Sequence, residues 1–208
     1  MKKSLFSGVK NLLFDLGGVI MDIRRENCVA ALESLGMADA NEMLGDYCQK
    51  GPFLLLEEGK ISPAEFRADM RSRIADKVTD EQLDDAFNQF LIGIPVHRLR
   101  ALEELKKKYN IYMLSNTNSI MFDSKISEEF RKDGHCVEYY FDGMCKSYEE
   151  GCAKPEPQIF KNVIAKFGIK PEETVFFDDS QANLDAAAKF GFRTCLVEPG
   201  SEFMDKIS

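Results

Sequence analysis

Asn11-Leu12-Leu13-Phe14-Asp15-Leu16-Gly17-Gly18-Val19-Ile20 is an apolar run that ends in a carboxylate followed by two glycines. An apolar stretch this short, with no polar alternation, suits a strand buried on both faces, as strands of parallel sheets are. Asp15 would then stand at the carboxyl end of that strand, where open α/β sheets carry their chemistry. Working outward, residues 111–114, 174–177 and 194–197 are short apolar runs of the same kind, bounded by polar residues or glycine. Helical patterns separate the later ones: Leu99, Leu102 and Leu105 share one face, as do Phe160, Val163, Ile164 and Phe167, and then Leu184, Ala187 and Ala188. Alternating strand and helix predicts an α/β fold with a doubly wound, Rossmann-like parallel sheet.

Between the first and second of these strands lies a stretch, 21–93, with helix signals and no convincing strand. Ser62-Pro63-Ala64-Glu65 and Thr79-Asp80-Glu81-Gln82 are capping boxes, the first with proline at the first helical position. Leu83, Ala86, Phe87, Phe90 and Leu91 then fall on one helical stripe. One crossover helix needs far fewer residues, so the segment reads as a helical subdomain inserted into a core made of 1–20 and 94–208.

Composition narrows the function classes. With 27 basic against 35 acidic residues the formal charge is -8. No basic cluster is denser than Lys106-Lys107-Lys108, which reads as the solvated end of a helix, so nucleic acid and anionic membranes are not expected partners. No apolar run approaches the roughly 18 residues of a membrane span, and Met1-Lys2-Lys3-Ser4 is not followed by a signal-peptide core. The six cysteines, Cys28, Cys48, Cys136, Cys145, Cys152 and Cys195, form no C-x-x-C pair and no metal-ligand spacing with His97 or His135. They read as reduced thiols of a cytoplasmic protein. Oligomeric state is not legible.

The chemistry sits where the strands end. The first ends in Asp15, the second in Ser115-Asn116-Thr117-Asn118, and the third in Asp178-Asp179-Ser180, while Lys154 lies in Gly151-Cys152-Ala153-Lys154-Pro155-Glu156-Pro157 just before a helix. In a parallel sheet these ends share one edge, so four motifs far apart in sequence can meet. Taken singly each has a plainer reading: Asp178-Asp179-Ser180 as a helix cap, Ser115-Asn116 as a turn, Lys154 as a helix-entry charge. Glu57-Glu58-Gly59 reads first as an exposed loop and second as a substrate contact. Asp22 ends the first motif loop and could face the pocket.

Together and in this order, the four motifs resemble those of the haloacid dehalogenase-like hydrolase superfamily. The wording is most similar to bacterial sugar-1-phosphate phosphatases and to the phosphatase domain of soluble epoxide hydrolases. The resemblance spans the chain and implies that 21–93 is an α-helical cap of the C1 type. It implies a Mg²⁺-dependent phosphomonoester hydrolase acting on a small phosphorylated metabolite, with Asp15 as nucleophile and an aspartyl-phosphate intermediate. It further implies that Asp15, the Gly17 carbonyl and Asp179 hold Mg²⁺, with Asp178 acting through water. Ser115, the Asn116 amide and the Leu16 and Gly17 amides would hold the transferring oxygens, and Lys154 would neutralise nucleophile and phosphoryl charge. A hard dication with oxygen ligands offsets the charge that would otherwise repel an attacking carboxylate.

Gly17 departs from the family pattern. Most of these phosphatases carry a second aspartate there, which protonates the leaving oxygen and then activates water. General acid-base help is worth roughly 10²–10⁴ in rate, so its loss favours esters with good leaving groups such as sugar 1-phosphates, unless Asp22 or another carboxylate of the insert substitutes. The same glycine leaves two alternatives open: a metal-free dehalogenase, which would have no use for Asp178-Asp179, and a weakly active phosphate-binding or regulatory protein.

Overall fold

The computed structural model describes residues 5–45, 49–74 and 77–207. Five strands form a parallel sheet: β1 (Asn11–Phe14), β4 (Asn110–Ser115), β5 (Gly143–Lys146), β6 (Thr174–Asp178) and β7 (Arg193–Leu196), in the order β5-β4-β1-β6-β7. All four residues of β1 are buried, as expected of a central strand covered on both faces. From β1 the chain moves outward to β4 and β5, then crosses to β6 and β7 on the other side. The loops therefore part at the carboxyl end of β1, which is where a doubly wound sheet opens a crevice.

Register decides what meets in that crevice. Phe14 pairs with Met113 on one side and Phe177 on the other. Asp15, whose amide donates to the Phe177 carbonyl at 2.9 Å, therefore stands level with Asp178, and Ser115 is one residue beyond the matching position in β4.

The pleat sorts the core into two layers. Leu13, Leu114 and Phe176 face Phe160, Val163, Leu184 and Ala187 of α11 (Pro157–Phe167) and α12 (Gln181–Ala188). Leu12, Phe14, Ile111, Met113 and Phe177 face the other way, onto Leu99 and Leu102 of α6 (Val96–Lys106). There the Phe14 and Phe177 rings stack at 4.7 Å. Short helices α7 (Ser119–Met121), α8 (Ser127–Arg131) and α9 (Val137–Tyr140), with a π-helical turn at Phe122–Ile126, join β4 to β5, and α10 (Ser147–Glu150) follows β5.

Among the described residues, five helices lie between β1 and α6: α1 (Arg25–Ser34), α2 (Ala40–Met43), α3 (Gly51–Glu57), α4 (Pro63–Ser72) and α5 (Asp80–Asn88). Both capping boxes form, through Ser62 with Glu65 and Thr79 with Gln82. Phe53, Phe66 and Phe87 make an aromatic cluster with ring centroids 5.2–5.4 Å apart. The stripe expected from Leu83 to Leu91 stops short, because α5 ends at Asn88 and Leu91 starts a strand.

That strand corrects the expectation of a strand-free segment. β2 (Asp22–Ile23) and β3 (Leu91–Gly93) pair antiparallel, so the chain leaves the sheet layer and returns to it side by side. Period-2 patterning cannot show in pieces of two and three residues. β5 also escaped the sequence reading: in Gly143-Met144-Cys145-Lys146 only Cys145 is fully buried, and the run is too short and mixed to show a pattern.

Arg98 pins this junction. Its guanidinium donates to the Ile20 carbonyl (3.2 Å), to Asp22 (2.8 Å) and, through two nitrogens, to both oxygens of Glu202 (2.8 and 2.9 Å). Asp22 is therefore turned to Arg98 and does not line the cleft between the sheet and the helices, against the expectation that it could face the pocket. Arg98→Met should lower unfolding free energy by roughly 2–3 kcal/mol, the range for charge-assisted bonds, read as a lower urea midpoint at unchanged slope. A midpoint within error of the parent would show that the clamp is ornamental.

Candidate active site

Strand ends and one loop lysine build the site. Asp15 follows β1, Asp178 closes β6, and Asp179 begins the turn into α12. Carboxylate oxygens of the three come within 4.8 Å of one another. Lys154 Nζ lies between two of them, 2.9 Å from Asp15 Oδ1 and 2.8 Å from Asp178 Oδ2, with its side chain 1% exposed. The plainer reading of Lys154 as a solvated helix-entry charge does not hold.

Three carboxylates against one ammonium leave a buried cluster two charges negative when all are ionised. Burial pushes Asp15 up to about 8; Lys154 opposes that rise, and Asp178 and Asp179 add to it. Burial, then the Asp178 charge, lifts Asp179 to about 6. Burial alone would lower the Lys154 ammonium, but Asp15 and Asp178 outweigh it and hold it above its ordinary value. Three carboxylates this close, with Asp15 and Asp179 raised, fit a hard divalent cation that takes oxygen ligands.

Asp178 is engaged at both oxygens. Its Oδ1 accepts the Ser180 amide (2.8 Å) and Asn183 Nδ2 (2.9 Å), while Oδ2 accepts Lys154. Ser180 makes no side-chain cap on α12, so the acidic pair is not simply a helix cap. Asp15 Oδ1 accepts Lys154 and the Leu16 amide (2.6 Å). Its Oδ2 has no hydrogen-bond partner among the described residues.

Gly18 lets the loop come this close. Its φ is +73°, and a Cβ there would lie 2.2 Å from Asp179 Oδ2. Gly17 is different: its φ is not positive, and a Cβ would meet Ile23 Cδ1 at 3.4 Å, ordinary contact. Nothing in the backbone demands glycine at 17.

Opposite Asp15, Ser115 is buried and its hydroxyl makes only a 3.4 Å bond to the Asn116 carbonyl. Asn116 does more than the sequence showed. Its side chain accepts from the Lys154 amide (2.8 Å) and donates to the Lys154 carbonyl (2.9 Å), fixing the backbone that carries the lysine. Thr117 and Ser147 make a similar two-way lock at 2.9 and 3.0 Å.

The cleft above these groups is lined by Asp15, Gly17, Lys154, Asp179 and Asn183 from the sheet side, and by Ile23, Gln49, Glu57 and Phe90 from the other. An apolar branch continues past Leu44, Phe87, Leu91, Met121 and Ile126. Glu57 ends α3 and borders the cleft, which corrects the reading of Glu57-Glu58-Gly59 as an exposed loop. Glu58 is buried and pairs with Lys60 at 2.7 Å, and Gly59 (φ +62°) abuts the Tyr148 carbonyl. The sequence signals for Gln49 and Asn183 were too weak to single them out, since nothing local marks either.

A parallel α/β sheet with this carboxylate-lysine cluster defines a class, and the chain belongs to the haloacid dehalogenase-like hydrolase family, whose profile matches residues 9–191. Among curated proteins it is similar to D-ribitol-5-phosphate phosphatase of Bacteroides thetaiotaomicron, 36% identical over 96% of this chain and 97% of that one. A crystal structure of a family enzyme from the same organism, in complex with magnesium and inorganic phosphate, superposes with a TM-score of 0.90 at 40% identity, covering 96% of this chain and all of that one. Bifunctional epoxide hydrolase 2 of Rattus norvegicus is 28% identical over 88% of this chain, which spans only 35% of that protein. Among the described residues no helix is long and apolar enough to cross a membrane.

Proposed function

We propose that this chain is a Mg²⁺-dependent phosphatase of small phosphorylated sugars and polyols, with 1–20 and 94–208 as catalytic core and 21–93 as a cap over the cleft. The observation that carries the reading is Lys154 held between Asp15 and Asp178 in a cluster left net negative. Asp15, the Gly17 carbonyl and Asp179 would hold the ion, and Asp178, its oxygens already engaged, would act through water. Bound there, Mg²⁺ supplies positive charge to the transferring group.

Asp15 is the nucleophile: one oxygen is anchored by Lys154 and the Leu16 amide, and the other is left for attack. Ser115 Oγ and the Asn116 and Gly17 amides hold the phosphoryl oxygens, and Lys154 offsets charge on both partners; the Leu16 amide, expected among these donors, is instead spent on Asp15 Oδ1 at 2.6 Å. The alcohol departs, and water then opens the aspartyl-phosphate. The same negative cluster argues against dehalogenation, which displaces halide from carbon and has no phosphoryl charge for a dication to offset.

The leaving-group argument from Gly17 favours sugar 1-phosphates, whereas the similar curated protein is named for a polyol 5-phosphate, an ester of a primary alcohol. A panel of hexose 1-phosphate, D-ribitol 5-phosphate and p-nitrophenyl phosphate separates these. The expected result is phosphate release that needs Mg²⁺. No release from any of the three by folded, metal-loaded protein would overturn the phosphatase reading in favour of a phosphate-binding or regulatory role.

A further inference from the structure

Gly17 leaves the reaction without a proton donor beside the nucleophile. The cleft contains four titratable side chains: Asp15, Lys154, Asp179 and Glu57. The first three belong to the cluster already described. Glu57 reaches the cleft from the opposite wall, off the last turn of α3, and among the described residues its carboxyl has no hydrogen bond or ion pair. Its neighbour Glu58 is engaged by Lys60. A carboxyl brought to the mouth of a phosphoryl site and left unpartnered has no structural task there.

We propose that Glu57 is the general acid of this phosphatase, donating a proton to the leaving oxygen in place of the aspartate that Gly17 replaces. The inference rests on the phosphatase reading above. The cleft supports it electrically: burial raises the Glu57 carboxyl to about 8, Lys154 opposing and Glu58 adding, so it holds a proton at neutral pH. In the first step an Asp15 oxygen bonds to phosphorus and the bond from phosphorus to the ester oxygen breaks. The electron pair goes to that oxygen, which takes the Glu57 proton and leaves as alcohol. In the second step water attacks phosphorus, its proton passes to the Glu57 carboxylate, and the bond to Asp15 breaks, releasing phosphate and regenerating both carboxyl groups.

Glu57→Gln tests this through leaving-group dependence. On D-ribitol 5-phosphate kcat/KM should fall by about 10²–10⁴. On p-nitrophenyl phosphate, whose phenolate leaves unprotonated, the fall should be smaller by at least about tenfold. With water attack now unassisted, the aryl ester should give a burst of nitrophenolate followed by slow turnover. Gly17→Asp added to Glu57→Gln should recover activity on the primary ester, since position 17 has room for a Cβ. Calorimetric binding of inorganic phosphate with Mg²⁺ should match the parent, which a collapsed cleft would not.

Equal losses on both esters, or none on the primary one, would overturn the role of Glu57 while leaving the phosphatase reading intact. A parent enzyme inert on both esters would take both down.

Discussion

Asp15→Asn is expected to abolish phosphate release, by at least about 10⁴-fold, and at the same time to make the metal-free protein harder to unfold. The two effects share one cause. The folded state raises the Asp15 carboxyl to about 8 from an ordinary 3.8, chiefly by burial. An acid raised in this way binds its proton more tightly folded than unfolded, so stability falls as pH rises from about 4 to about 8. Asparagine has no proton to lose. The variant should therefore melt higher than the parent at pH 8, by on the order of 1–3 kcal/mol, with the gap closing below pH 4. Thermal melts at several pH values without divalent cation measure it. Saturating Mg²⁺ should reverse the order if Asp15 holds the ion as proposed, because the parent then gains stabilisation by mass action that the variant, short of one carboxylate, largely forgoes. A variant that melts lower than the parent at pH 8 without metal would show that the carboxylate cluster is not a strained one.

Lys154→Met should do the opposite to stability and the same to activity. Methionine fills much of the space of the lysine stem but leaves Asp15 and Asp178 without their shared cation. Removing one member of a buried charge group costs about 3–5 kcal/mol, here at pH 8 and without metal. The penalty should shrink as pH drops from about 8 toward 4, where the raised Asp15 carboxyl is already protonated in the folded state. Chemical denaturation at pH 8 and pH 4 separates this from a packing defect, which would cost the same at both. Equal stability of variant and parent at pH 8 would mean that Lys154 does not hold the cluster together.

These opposite signs arise from residues legible in the sequence. Asp15, Ser115, Lys154 and the Asp178-Asp179 pair could be named because each ends a buried apolar run or precedes a helix, and because parallel strands bring such ends to one edge. The sheet was legible for the same reason, through the buried apolar runs of the three inner strands β4, β1 and β6, with the edge strand β7 marked by a weaker run at 194–197. What escaped was set by tertiary contact. β5 is an edge strand with only Cys145 fully buried, and β2 and β3 are too short to show a period. Asp22 was indistinguishable from a pocket residue until Arg98 turned it aside. Glu57 looked like part of a polar loop because the helix that carries it, Gly51–Glu57, opens with Gly-Pro and lacks a side-chain cap. Asn116 could be placed at the site, but its two bonds to the Lys154 backbone depend on a loop nearly forty residues away, which no local pattern encodes.

The antiparallel ribbon of β2 and β3 has a consequence for descent. Because departure and return lie next to each other, and Arg98 fastens the departure point to α6 and to Glu202, the intervening segment hangs from the sheet like a cassette. Lineages can lengthen, shorten or exchange it without disturbing strand order or the carboxylates at the sheet edge. If Glu57 supplies the proton, exchange is not free: a replacement cassette must carry its own acid, or position 17 must regain one. Swaps of cassette and residue 17 would then be inherited together.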